Sequence, residues 1–163
     1  MKRKTVAVAT AALLMASTLG LSACSNEIVA QSGDEVQSAA NLDLERISSV
    51  LDATGQAMTK ADASLNAADL SGRVTQGALD YRTAQYALAT ASGQTPQALD
   101  FTPASLAITN SDSWPRAIFN ISASSTTALP VLQVFVQDSA RSDYQLTNYA
   151  RLLGGTQLTL PTV

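Results

Sequence analysis

The sequence contains no histidine, a single cysteine and only 5% aromatic residues. Without histidine it lacks the commonest general base and the commonest metal ligand, and every Ser-His or Cys-His catalytic pair is excluded. A lone cysteine permits no intramolecular disulfide and no thiolate cluster, so packing alone must hold the fold. Basic residues are scarce too, with ten Lys and Arg against thirteen Asp and Glu. Three of the ten are Lys2, Arg3 and Lys4, whereas every acid lies beyond residue 23. The chain from Cys24 onward therefore carries seven basic and thirteen acidic residues. A body this acidic, with Lys60 as its one lysine, offers no stripe for a phosphate backbone and speaks against nucleic-acid binding. The same sign disfavours broad contact with anionic lipid headgroups. Ala57 stands three residues before Lys60, which removes a Ser-x-x-Lys nucleophile, and no glycine-rich phosphate loop or calcium-loop alternation of acids occurs. No metal and no cofactor is expected.

What is present suits one domain: 163 residues, 46% of them hydrophobic and 14% charged, too apolar for a disordered chain. The basic head at residues 2–4 is followed by an apolar, alanine-rich stretch from Val6 to Leu19, too short for a membrane span and suited to an export signal. Leu21-Ser22-Ala23-Cys24 then resembles the lipobox of bacterial lipoproteins. The resemblance implies that residues 1–23 are removed as a signal peptide and that the Cys24 thiol carries a diacylglyceryl group, with fatty acids such as palmitate. Two acyl chains anchor stably where one is marginal, at ~0.8 kcal/mol per buried CH₂. The expected location is the extracytoplasmic face of the cell membrane, held there through Cys24. Ser25 to Ala40, rich in Ser, Gln, Ala and acids, reads as a flexible tether, so that 24–40 is lipidated cysteine plus spacer and 41–163 the folded domain.

Within that domain Leu44, Ile47, Leu51, Met58, Ala61 and Leu65 recur at helical spacing with Thr54 in phase, which predicts a long helix capped by Asn41. Acids at Asp43 and Glu45 suit its first turn, and Gly55 weakens its middle by about 1 kcal/mol relative to alanine. Ala67–Val74 predicts a short second helix broken near Gly72. Thr75 is placed as the cap of a third helix over 76–91 that buries Leu79, Tyr86 and Ala89 or Thr90 and ends at Ser92-Gly93. After a loop at 94–105 the period changes to 2. Strands are predicted over 106–110, 117–123, 131–137 and 144–151, the last two joined as a hairpin around 138–143. Helices first and strands afterwards give an α+β fold, N-terminal helices packed on a four-stranded antiparallel sheet. The two faces of 131–137 are Val131, Gln133, Phe135, Gln137 and Leu132, Val134, Val136. With the long helix over one face, an apolar patch on the other is expected around Phe135 and its neighbours in 117–121. That patch would receive a second copy, a missing C-terminal half or another envelope protein, unless Trp114 and the segment Leu158–Leu160 seal it.

Ile108-Thr109, Trp114-Pro115-Arg116, Gln137-Asp138-Ser139-Ala140-Arg141-Ser142-Asp143-Tyr144 and Tyr149-Ala150-Arg151-Leu152-Leu153-Gly154 resemble segments of a family of actinobacterial lipoproteins with a domain of unknown function. Ala61-Asp62-Ala63-Ser64-Leu65 and Arg82-Thr83-Ala84-Gln85-Tyr86 extend the likeness over roughly residues 45–163. The family implies a compartment and no reaction. Its members continue past the Leu-Pro step seen here at Leu160-Pro161, so the chain is read as a short member or a fragment. The order of helices and hairpin is similar to the first part of a cystatin-like or nuclear-transport-factor-2-like cone, by analogy alone.

Two places carry candidate chemistry. Trp114-Pro115-Arg116 brings a large aromatic, a rigid turn and a cation together, which suits an anionic or sugar ligand; the plainer reading is a strand start with Arg116 solvated. Asp138, Arg141, Asp143 and Tyr144 share one hairpin, either a recognition loop or a self-satisfied polar turn. Candidate binding residues are therefore Trp114, Arg116, Asp138, Arg141 and Tyr144, with none assigned as catalytic. A noncatalytic binding or interaction domain is the preferred reading. The alternative is an envelope enzyme with a carboxylate and tyrosine pocket, its acids drawn from Asp100, Asp112 and Asp138.

Overall fold

The computed structural model describes residues 42–123, 129–156 and 158. The signal segment 1–23, Cys24 with its lipobox, and the tether lie outside them. Helix α1 spans Leu44–Ser64. Its cap is Asp43, whose carboxylate accepts the Arg46 amide at 2.7 Å. The expected cap, Asn41, lies outside the described residues. An acid at the cap serves both the orphan amide and the helix dipole. The buried stripe is Ile47, Leu51, Thr54, Met58 and Ala61, as the spacing predicts. Thr54 is admitted because its hydroxyl donates to the Val50 carbonyl at 2.9 Å, leaving no unpaired polar atom. Gly55 has a packing reason: a Cβ there would stand 3.3 Å from the Phe101 ring, which crosses the helix at that point.

The second predicted helix is shorter than expected, a 3₁₀ turn over Ala67–Leu70. Helix α2 spans Gln76–Ser92 and stops at Gly93, whose φ of 73° is the left-handed conformation that glycine adopts without cost. Thr75 stands at its cap position without a side-chain cap bond. Of the face predicted for it, Tyr86 and Ala89 are buried and Leu79 packs against the core, and Arg82 is the unexpected member. Ala78, Arg82, Tyr86 and Ala89 are inside, Leu79 is half-buried and Thr90 is exposed. Apolar periodicity could not assign a buried place to an arginine, and Arg82 holds one only because Asp62 of α1 meets it.

Four strands follow among the described residues: β1 Pro103–Ile108, β2 Arg116–Ser122, β3 Val131–Gln137 and β4 Gln145–Arg151. They pair antiparallel in chain order, giving the α+β architecture with a four-stranded antiparallel sheet. The first strand begins earlier than the loop reading of 94–105 allowed. Pro103 takes its first position, where a missing N–H is tolerated.

The sheet face toward the helices carries Ile118, Phe135 and Leu146, buried with Ile47, Leu51, Met58 and Tyr86 in one core, and Val131 on the same face of β3 is buried too. Phe101 meets Phe135 edge-on at 6.5 Å between ring centroids. The strand alternation is as predicted, but the patch expected around Phe135 is corrected, since Phe135 and Ile118 are 0% exposed. Gln133 on the same face is buried as well, accepting from Asn120 Nδ2 at 2.8 Å and donating to the Asp100 carbonyl at 2.8 Å. The half-buried apolar face is the opposite one, with Phe119, Ile121, Leu132, Val134 and Val136. Trp114 stacks against Arg116, and Leu158 is 45% exposed; Leu160 lies outside the described residues.

The link between the helices reaches the far strand. Leu146 donates its amide to the Arg73 carbonyl at 2.8 Å, and the Thr75 amide donates to the Leu146 carbonyl at 2.9 Å. This hook fixes Arg73 beside the hairpin that joins β3 to β4.

An arginine-lined candidate cleft

Four elements converge on a cleft of about 580 Å³. The first turn of α1 supplies Arg46, the hook supplies Arg73, the start of β2 supplies Trp114 and Arg116, and the β3–β4 hairpin supplies Arg141 and Tyr144. The Arg116 guanidinium lies 4.3 Å from the centre of the Trp114 ring, within range of a cation–π contact. Tyr144 is 6% exposed, and burial holds its hydroxyl above the ordinary tyrosine range, against a smaller opposing pull from Arg116.

The hairpin between β3 and β4 is held by its own bonds. Gln137 Nε2 donates to the Ser142 carbonyl at 2.6 Å, the Ser142 amide donates to the Ser139 carbonyl at 3.1 Å, and the two serine hydroxyls are 2.8 Å apart. These bonds make the segment a self-satisfied turn, in which Arg141 is exposed. Of the five candidate binding residues, Trp114, Arg116, Arg141 and Tyr144 line the cleft together. Asp138 is exposed and does not line it. Arg46 and Arg73 were missed, because they precede Trp114 by dozens of residues and only tertiary packing brings them near.

Charge pairing sets this cleft apart. Its one acid, Asp143, stands 3.7 Å from Arg73, at the long end of an ion pair. The side chains of Arg46, Arg116 and Arg141 meet no hydrogen-bond acceptor among the described residues, and Arg116 Nε is buried without a partner. Among the described residues, the cations outside the cleft are engaged. Lys60 pairs with Asp69 at 2.7 Å, and Arg151 donates to the Ala98 carbonyl at 2.9 Å. Arg46 and Arg141 are exposed and Arg116 half-buried, so the cleft gathers three guanidiniums without a carboxylate partner in a chain with excess acid. No family model, curated protein or solved structure matches this chain. The cleft is therefore interpreted on its chemistry alone.

A second polar cluster lies between α1 and α2. Arg82, 0% exposed, donates from Nε to Asp62 Oδ1 at 2.9 Å, and its Nη2 pairs with Asp62 Oδ2. Its Nη1 donates to Gln85 Oε1 at 2.7 Å and to the Gln97 carbonyl at 3.2 Å. Tyr86 donates to Asp62 Oδ1 at 2.7 Å, and Tyr149 to Gln85 Oε1 at 3.2 Å. Burial alone would lower the Arg82 pKa, but the Asp62 carboxylate reverses this and holds it above its ordinary value. Burial, reinforced by the bond to Asp62, keeps the Tyr86 hydroxyl protonated far above the usual range. Each donor here has an acceptor, which marks a structural joint. The segments at 61–65 and 82–86, quoted above for their resemblance, are the ones this joint ties together.

A larger cleft, about 680 Å³, runs between α1 and the segment 99–103. It has an apolar floor of Leu51, Gly55 and Phe101, and its one cation, Lys60, is already paired. Asp100, Asp112 and Asp138 are exposed and line neither cleft, and Asp100 accepts the Thr102 amide at 2.8 Å. Among the described residues no three His, Cys, Asp or Glu side chains are grouped to hold a metal ion, and no helix is long and apolar enough to cross a membrane.

Proposed function

We propose that the chain is a lipid-anchored, noncatalytic binding domain of the bacterial cell envelope, and that its ligand is an anion seated in the cleft between Arg46, Trp114, Arg116 and Arg141. The observation that carries this reading is the set of three unpaired guanidiniums gathered in an acidic protein. The anchor rests on the lipobox-like Leu21-Ser22-Ala23-Cys24, and membership of the actinobacterial lipoprotein family rests on the resemblance quoted above. Helices across one face of an antiparallel meander support the cystatin-like or nuclear-transport-factor-2-like half-cone. The runner-up, a carboxylate and tyrosine enzyme, draws no support from Asp62 and Tyr86, whose polar atoms are spent on Arg82 and on each other.

Two experiments test the reading. Cys24→Ser should move the protein from detergent-requiring membrane fractions to the soluble fraction, and persistence in the membrane would refute the anchor. Trp114 is the single tryptophan, so its fluorescence reports directly on the cleft. Citrate, used as a generic multivalent anion at constant ionic strength, should change that fluorescence saturably in the full chain. Loss of the response in the Arg116→Gln/Arg141→Gln double variant supports the seat. A linear, unsaturable response in both proteins refutes it.

A further inference from the structure

Resting on that reading, we infer that the cleft selects a small soluble ligand with two adjacent phosphate groups, a diphosphate or diphosphate ester, over carboxylates and single phosphates. Charge comes first. Four arginines against Asp143 leave the lining with a formal excess of three positive charges. Two linked phosphates concentrate enough charge on adjacent groups to neutralise that excess, whereas a singly esterified phosphate, at about −1.5 to −2, falls short and carboxylates reach it only by spreading one charge per group. Donor count points the same way. A guanidinium has five N–H donors and no acceptor, and Arg46, Arg116 and Arg141 spend none of theirs on the described protein. A cleft so rich in donors matches a fully ionised ligand dense in acceptor oxygens better than a hydroxyl-bearing neutral sugar, which must also donate.

Geometry narrows the choice. Arg116 Nε is buried, and the two amino groups of the same guanidinium are neither bonded nor buried, so these are the atoms that a ligand oxygen can reach. The guanidinium lies over the Trp114 ring, 4.3 Å from its centre. Its planar fork favours bidentate contact with an oxyanion, which an ammonium would not give. Arg46 comes from α1 and Arg141 from the hairpin, so the remaining donors approach from other elements, and a ligand with a second anionic group can meet them together. The volume, about 580 Å³, falls in the range of small-molecule sites and exceeds what one phosphate fills. A long polyanion is disfavoured, because beyond the cleft acids outnumber bases and would repel it.

The test is a titration of the full chain at constant ionic strength with inorganic pyrophosphate, orthophosphate and citrate. Trp114 fluorescence and calorimetry are read in parallel, the latter because Arg116 variants change the starting fluorescence. Pyrophosphate should bind at least about tenfold more tightly than either other anion. Arg116→Gln and Arg141→Gln should each weaken it about tenfold with the far-ultraviolet circular dichroism unchanged. Arg116→Lys, which keeps the charge and loses the fork, should weaken it several-fold. Citrate binding as tightly as pyrophosphate, with both lost in the arginine variants, overturns the phosphate selectivity and leaves the anion seat standing. Pyrophosphate binding that ignores Arg116 and Arg141 overturns both. Binding to phosphatidic acid vesicles without any response to pyrophosphate overturns the soluble ligand.

Discussion

Arg82 and Arg116 show the same side chain in opposite circumstances. Arg82 is wholly buried and every one of its bonds ends on Asp62, Gln85 or the Gln97 carbonyl. Arg116 sits half-buried on an indole face with no acceptor at all among the described residues. A buried charge without partners costs several kcal/mol, so Arg82 can stay only as part of a closed network. Arg116 has solvent at its amino groups, which makes an open fork tolerable and leaves it available. Pairing, rather than charge or burial taken singly, separates a cation that joins helices from one left open to solvent.

The comparison is broken most severely by removing one partner of the closed pair. Asp62→Ala strands a fully buried guanidinium and should lower the unfolding free energy by about 3–5 kcal/mol in urea melts. Replacing both members, as Asp62→Leu with Arg82→Met, should recover part of that loss; if the double variant were no better than Asp62→Ala, the stranded charge would not be the cause. Tyr86→Phe removes one hydrogen bond and should cost about 1 kcal/mol. It also tests the pH response. A tyrosine whose folded pKa lies above its unfolded value near 10 contributes stability that is complete below about pH 10 and is lost as pH climbs toward the folded value. The urea midpoint should therefore fall above pH 10, and fall less steeply in Tyr86→Phe.

The open site should behave in the opposite way. Arg116→Gln and Arg141→Gln are expected to change stability by no more than about 0.5 kcal/mol while each weakening anion binding about tenfold. A destabilisation as large as that of Asp62→Ala would make Arg116 a structural cation and erase the contrast. The smallest effect is expected from Asp143→Asn. It frees Arg73 from a long, exposed ion pair and should raise anion affinity about twofold at low salt, with the gain vanishing at high salt.

The sequence carried the architecture where side-chain pattern and physics agree. The stripe from Ile47 to Ala61, the stop at Gly93 and the antiparallel strands were all legible because period, turn chemistry and burial point the same way. Legibility failed wherever a polar side chain is buried by a partner distant in the chain. Arg82 takes a buried place on α2 through a partner twenty residues away, while Leu79 packs half-buried against the core. Gln133 is buried through Asn120 and Asp100, on the same inward face as Phe135. The candidate site divides along the same line. Trp114, Arg116, Arg141 and Tyr144 stood out by local composition, whereas Arg46 and Arg73 joined them only through the fold.

The core arrangement also sets an order of assembly. Helices α1 and α2 come first in the chain, and the side chains that close over their apolar stripe, Phe135 and Leu146, come near its end. The sheet is a meander whose neighbours are consecutive strands, so each ladder forms by a short, local search. The early helices can tie themselves together through Asp62 and Arg82, but their hydrophobic side stays unclosed until β4 has been made. A chain interrupted between Phe135 and Leu146 would hold a ready-made helical pair with an unroofed apolar surface, the form most open to proteases and to self-adhesion during biosynthesis.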